Sequence, residues 1–124
     1  MISGMHHIAI LASKREETLR FYETLGFSVT ENHVRPERND EIIFMKQQNI
    51  TLEIFISEGH PPRLSGPEAY GLRHIAFAVQ NAAAVREELC LKGYAPEEMR
   101  SDTFSGKNMF FIKDPDGLPV EIHE

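Results

Sequence analysis

A chain of 124 residues, 41% of them hydrophobic, suits one compact domain and is too short for two ordinary ones. Its formal net charge of -6 and scattered basic residues argue against a nucleic-acid surface and leave a small molecule as the expected partner. The lone cysteine, Cys90, excludes an internal disulfide. With no secretory-type start and no apolar run near the ~18 residues of a membrane span, the expectation is a soluble cytoplasmic protein.

Met5 to Leu11 alternates as a strand does, and Ser13 with Glu16 three residues on has the form of a capping box opening a helix. Leu19, Tyr22 and Leu25 then share one helical face, and Gly26 supplies a left-handed stop. Three strand signals follow: Phe27 to Asn32, Glu41 to Lys46, and Ile50 to Ser57. Gln48-Asn49 is a tight turn between the last two, and Arg35 to Asp40 reads as a polar loop long enough to be mobile. Residues 58–70 hold Gly59, Pro61, Pro62, Gly66 and Pro67 and form an irregular linker. The order then repeats. Arg73 to Val79 is a strand, and Asn81 caps a helix whose stripe is Ala82, Val85 and Leu89. Gly93 ends that helix, and Tyr94 to Arg100, Lys107 to Lys113 and Leu118 to His123 are strands, the last two joined by Asp114-Pro115-Asp116-Gly117.

The repetition extends to residues. His7-Ile8-Ala9 returns as His74-Ile75-Ala76 and Phe44-Met45-Lys46 as Phe111-Ile112-Lys113, each 67 residues later; Glu53-Ile54 returns 68 later as Glu121-Ile122. The fold expected is α+β, two βαβββ modules (1–57 and 71–124) forming a cup-shaped mixed sheet within a single domain, 1–124. Strand parity places His7, Ala9 and Leu11 on one face and Ile8 and Ile10 on the other, and likewise separates His74, Ala76 and Ala78 from Ile75, Phe77 and Val79. Glu53 and Glu121 point away from Leu52, Ile54, Val120 and Ile122. Two histidines and two glutamates at matching places make a metal-ligand set that leaves two positions open on an octahedral ion. Any one of them alone reads more simply as a solvated or hydrogen-bonded strand residue.

The segments HHIAI, FYETLGF, TLEIF, GLRHIAFAV and FFIKDPDGLPVEI resemble the vicinal oxygen chelate superfamily, which includes glyoxalase I, methylmalonyl-CoA epimerase, extradiol dioxygenases and the fosfomycin and bleomycin resistance proteins. The resemblance covers essentially the whole chain. It implies paired βαβββ modules around a divalent metal, with His7, Glu53, His74 and Glu121 as ligands; His6 falls on the other face. Glu53 favours the glyoxalase I-like branch, in which Glu53 and Glu121 would also be catalytic bases moving a proton on a metal-bound substrate. Ni2+ or Zn2+ is the expected ion, with Co2+, Mn2+ or Fe2+ as alternatives.

Glyoxalase I carries an Arg and an Asn four residues after its first and second ligands, to hold glutathione. Here those positions are Leu11 and Ser57, which implies a different and less anionic substrate. Two other readings stay open: an Fe(II) extradiol-type dioxygenase using His7, His74 and Glu121, and a non-catalytic binding or resistance protein. A homodimer is expected, with modules paired within a chain or exchanged between two. Arg35 and Arg38 could close over an anion but read first as a solvated loop, and His123 reads as part of a fraying terminus. Cys90, with no His or Lys beside it, reads as a helix residue and not a nucleophile.

Overall fold

The computed structural model describes every residue, Met1–Glu124, in two compact units, Met1–Pro61 and Pro62–Glu124. The protein is α+β, and each unit is a βαβββ arrangement with its own four-stranded mixed sheet.

In the first unit the elements are β1 (Ile8–Ala12), α1 (Arg15–Thr24), β2 (Ser28–Arg35), β3 (Asp40–Gln47) and β4 (Ile50–Ile56), with a 3-10 turn at Pro36–Arg38. The sheet order is β1-β4-β3-β2, with β1 parallel to β4 and the other pairs antiparallel. Alternation decides what is buried. Ile10 and Ala12 of β1, Ile43 and Met45 of β3, and Leu52 and Ile54 of β4 lie on one face, inside a core completed by Leu19, Phe21, Tyr22 and Phe27. Full burial of such side chains stabilises by about 1.5–3 kcal/mol each, which fixes the register and leaves the opposite face for chemistry.

Helix α1 begins at Arg15, one residue beyond where a Ser13 N-cap would start it. The N-cap is Lys14, without a side-chain cap hydrogen bond. Arg15, the first helical residue, instead grips Glu41 of β3: Nε lies 3.0 Å from Oε2 and Nη2 2.9 Å from Oε1, while Asn32 donates to the same carboxylate. The helix ends as expected at Gly26, where φ is +101°; the amides of Gly26 and Phe27 donate to the carbonyls of Glu23 and Tyr22 in a Schellman arrangement.

The second unit holds β5 (Ile75–Ala78), α2 (Ala82–Leu91), β6 (Arg100–Ser101), β7 (Asn108–Lys113) and β8 (Pro119–His123), in sheet order β5-β8-β7-β6 with β5 parallel to β8. Asn81 caps α2 as its sequence predicts, its side chain accepting from the Ala84 amide at 3.0 Å. The strand expected over Tyr94 to Arg100 shrinks to two residues. Pro96 lacks an amide to donate, and although the Glu97 amide still donates to the Phe111 carbonyl of the neighbouring strand at 2.8 Å, the Glu97 carbonyl accepts from Arg86 at 2.8 Å, so a side chain takes the acceptor that a longer ladder would use. Asp114 is buried and closes the last turn, accepting from the amides of Asp116 and Leu118 at 3.0 and 2.9 Å. Between β4 and β5 there is no helix or strand, only a bridge between Ser65 and Glu68.

Candidate metal centre

Parallel pairing of the first and last strands of each unit places a histidine beside a glutamate. In β1 and β4, Ala9 is the Cα partner of Glu53; in β5 and β8, Ala76 is the partner of Glu121. The alanines leave room above them. His7 and His74, each two residues earlier on the same face, reach across that room. His7 Nε2 lies 2.9 Å from Glu53 Oε2, and His74 Nε2 lies 2.9 Å from Glu121 Oε2. The glutamate side chains are mostly enclosed, at 17% and 12% exposure, and the imidazoles less so, at 37% and 30%.

Adjacent ligands on an octahedral ion with bonds of about 2.1 Å stand about 3.0 Å apart. The observed N···O separation therefore fits one edge of such an ion in each unit, and equally fits a direct imidazole–carboxylate contact. The donor set, borderline nitrogen with hard oxygen, suits first-row divalent ions. The four predicted ligands are brought together as two pairs. No group of three or more His, Cys, Asp or Glu side chains is arranged to hold a metal ion.

The surroundings of the pairs differ. His7 has His6 as a neighbour, Nδ1 to Nδ1 at 2.9 Å, with the rings edge to face. His6 thus orients His7 despite its place on the other side of the strand. A small cleft lined by Met5, His6, His7, Asn49 and Thr51 opens beside them. His74 stands edge-on to Phe111, whose Cα partner is Glu121.

His123 is not a frayed end. Its Nδ1 lies 2.7 Å from the Glu124 carbonyl and its Nε2 3.0 Å from Asp102 Oδ2, with Glu121 Oε1 at 3.9 Å. Both close partners are acceptors, so both ring nitrogens donate, and the imidazole pKa is raised, by the Glu124 carbonyl first and then by Asp102. Asp102 carried no motif that would mark it in the sequence.

Arg35 and Asp40 do not bound a free loop. They close a hairpin around the Pro36–Arg38 turn, with Nε 2.8 Å from Oδ1 and Nη2 2.6 Å from Oδ2. Leu11 and Ser57, at the positions where a glutathione site would need Arg and Asn, lie beside Phe55 and His60 respectively. Cys90 is a free, exposed thiol on α2. No helix is long and apolar enough to cross a membrane.

The model of the Glyoxalase/Bleomycin resistance protein/Dioxygenase superfamily matches residues 4–122. The chain is similar to the uncharacterized protein YwkD of Bacillus subtilis strain 168, 37% identical over 126 residues that span 100% of this chain and 98% of that one. It is also similar to the solved structure of a glyoxalase family protein from Enterococcus faecalis, with 48% identity, 98% coverage of each chain and a TM-score of 0.93. A mutant of the fosfomycin resistance protein FosX from Listeria monocytogenes, solved with Mn(II) and 1S,2S-dihydroxypropylphosphonic acid, is 19% identical and shares the fold: the match covers 99% of this chain and 93% of that one, with a TM-score of 0.77. With a family match over nearly its whole length and full-length relatives above 30% identity, the chain belongs to the glyoxalase/bleomycin resistance/dioxygenase superfamily.

Proposed function

We propose that His7, Glu53, His74 and Glu121 together hold one divalent ion, Ni2+ or Zn2+, in a glyoxalase-like lyase or isomerase that moves a proton on a small oxygenated substrate. The observation that carries this reading is the duplicated His–Glu pair, closed to the same 2.9 Å at the same register in both units. Bound there, the ion would polarise substrate oxygens and make a neighbouring C–H more acidic. Glu53 and Glu121 take and return the proton: each turns one carboxylate oxygen to its histidine, and each is sheltered from bulk water. His7 and His74 orient those carboxylates. Ala9 and Ala76 keep the space beside them open for substrate. The FosX structure with Mn(II) supports a divalent ion on this fold, and the exposed free thiol of Cys90 suits a reducing, cytoplasmic setting.

Metal analysis of wild-type and Glu53→Gln protein after gentle purification, with exchange of substrate C–H for deuterium as the activity, tests this reading. The expected result is nickel or zinc at one per chain in the wild type, with metal affinity and exchange both falling at least 100-fold in the variant. Iron retained in Glu53→Gln with oxygen uptake would point to a dioxygenase built on His7, His74 and Glu121. A wild type that binds no divalent metal would leave a binding protein.

A further inference from the structure

On the face of the first sheet that carries Glu53, one cation is built in place. A β-bulge between Val29 and Glu31 shifts the register of β2: Val29 pairs with buried Met45, but Glu31, His33 and Arg35 pair with Phe44, Ile42 and Asp40. Those three residues of β3 alternate on the face that also bears Glu53 and Phe55, because Phe44 partners Glu53 and Ile42 partners Phe55. Without the bulge, Arg35 would face the helix. With it, the guanidinium crosses β3 and stacks on Phe55, its carbon 5.6 Å from the ring centroid. Phe55 is two residues from Glu53 and is the Cα partner of half-exposed Leu11.

Asp40 fixes the orientation. It accepts from Nε and Nη2 and is itself only 12% exposed, while Arg35 keeps 29% of its side chain exposed. A guanidinium has five N–H donors in a fixed plane. Two are directed at Asp40; both on Nη1 and the second on Nη2 form the outer edge, whose spacing matches two oxygens of a carboxylate or phosphate. The Asp40 hydrogen bonds first, then the charges of Asp40 and Glu37 and last that of Glu53, hold the Arg35 pKa above its ordinary value, so the side chain is a permanent cation within electrostatic reach of Glu53.

We propose that Arg35, aimed by Asp40 and backed by Phe55, anchors an oxyanionic group, carboxylate or phosphate, of the substrate handled at His7 and Glu53. This deepens the metal-centre reading and rests on it for the identity of the neighbouring site. It is compatible with the less anionic substrate expected from Leu11: the positive charge enters from β2 and not from β1. Leu11 and Phe55 then form the apolar wall next to the anchor.

The test is a titration of the full-length, 15N-labelled chain with sodium phosphate and, separately, with sodium acetate at constant ionic strength. The arginine Nε–Hε resonances are followed, with exposed Arg38 of the same hairpin as internal reference. The expected result is a saturating shift at Arg35 with at least one of the two anions, while Arg38 drifts linearly; which anion saturates names the group. Arg35→Gln should weaken that binding at least tenfold, read at the Phe55 and Thr51 amides, and Arg35→Lys should restore part of it. An Arg35 signal that moves no more than that of Arg38, or unchanged binding in Arg35→Gln, overturns the assignment and leaves the arginine a brace for the hairpin. Nickel titration of the same samples separates the two readings. A wild type that takes up no nickel but shows the Arg35 response would sink the metal centre alone, whereas unchanged nickel uptake with no Arg35 response would sink the anchor alone.

Discussion

Asp102, just past β6, gathers three donors on its carboxylate. The Phe104 amide, the Ser105 hydroxyl and His123 approach it at 3.0, 2.7 and 3.0 Å and hold its carboxyl down to about 2 from an ordinary 3.8, the backbone donor having the largest effect. His123 shifts the other way, upward from 6.5. A depressed carboxyl contributes stability above its unfolded pKa that is lost as pH falls through the folded one. A raised histidine contributes below its unfolded pKa and loses that contribution as pH rises. The stability difference between wild type and Asp102→Asn should therefore be largest between about pH 4 and 6.5 and shrink on both sides, as read by urea unfolding at a series of pH values. A difference that stays flat from pH 2 to 8 would mean the contact contributes only packing.

At the scale of elements, alternation made most of the architecture legible. The faces of β1, β4, β5 and β8 follow directly from their residue patterns, and the parallel pairing then closed the two His–Glu contacts. Three features could not be read that way. The bulge in β2 inverts parity midway along a strand whose residues are all polar or exposed, so no hydrophobic pattern marked it, and it carries Arg35 to the Glu53 face. The shortening of β6 goes with Arg86 from α2 taking the Glu97 carbonyl, while the Glu97 amide still donates to Phe111. The anchoring of the first residue of α1 comes from 26 residues away, where Arg15 meets Glu41 across the unit, a pairing that no local pattern marks. Local propensity yields to such tertiary bonds. Glu41→Gln, which keeps the shape but removes the charge under Arg15 and Asn32, should cost about 1 kcal/mol in thermal or urea unfolding, the partial exposure of Arg15 limiting the loss. An unchanged midpoint would mean that the pair contributes nothing to holding α1 on the sheet.

Across the whole molecule the two copies agree at the pairs and diverge beside them. Arg35 and Asp102 stand 67 residues apart, and Phe55 and His123 stand 68 apart, following the same slip as Glu53 and Glu121. Matching positions thus hold a cation stacked on a ring in one unit and a carboxylate bonded to an imidazole in the other. The repeated positions carry the same His–Glu pair twice; the diverged ones flank each pair with different chemistry. The pairs were legible in the sequence because duplication printed them twice. Their flanks were not, because each occurs once.

The proposed sharing of one metal ion by the two pairs has a direct test on the whole chain. Calorimetric titration of Ni2+ into wild-type protein, the double variant His7→Ala/Glu53→Gln, and the double variant His74→Ala/Glu121→Gln reads this directly. One ion per chain in the wild type, with the tight site lost completely in either double variant, is the predicted result. Two ions per chain, with each double variant keeping one at undiminished affinity, would contradict it.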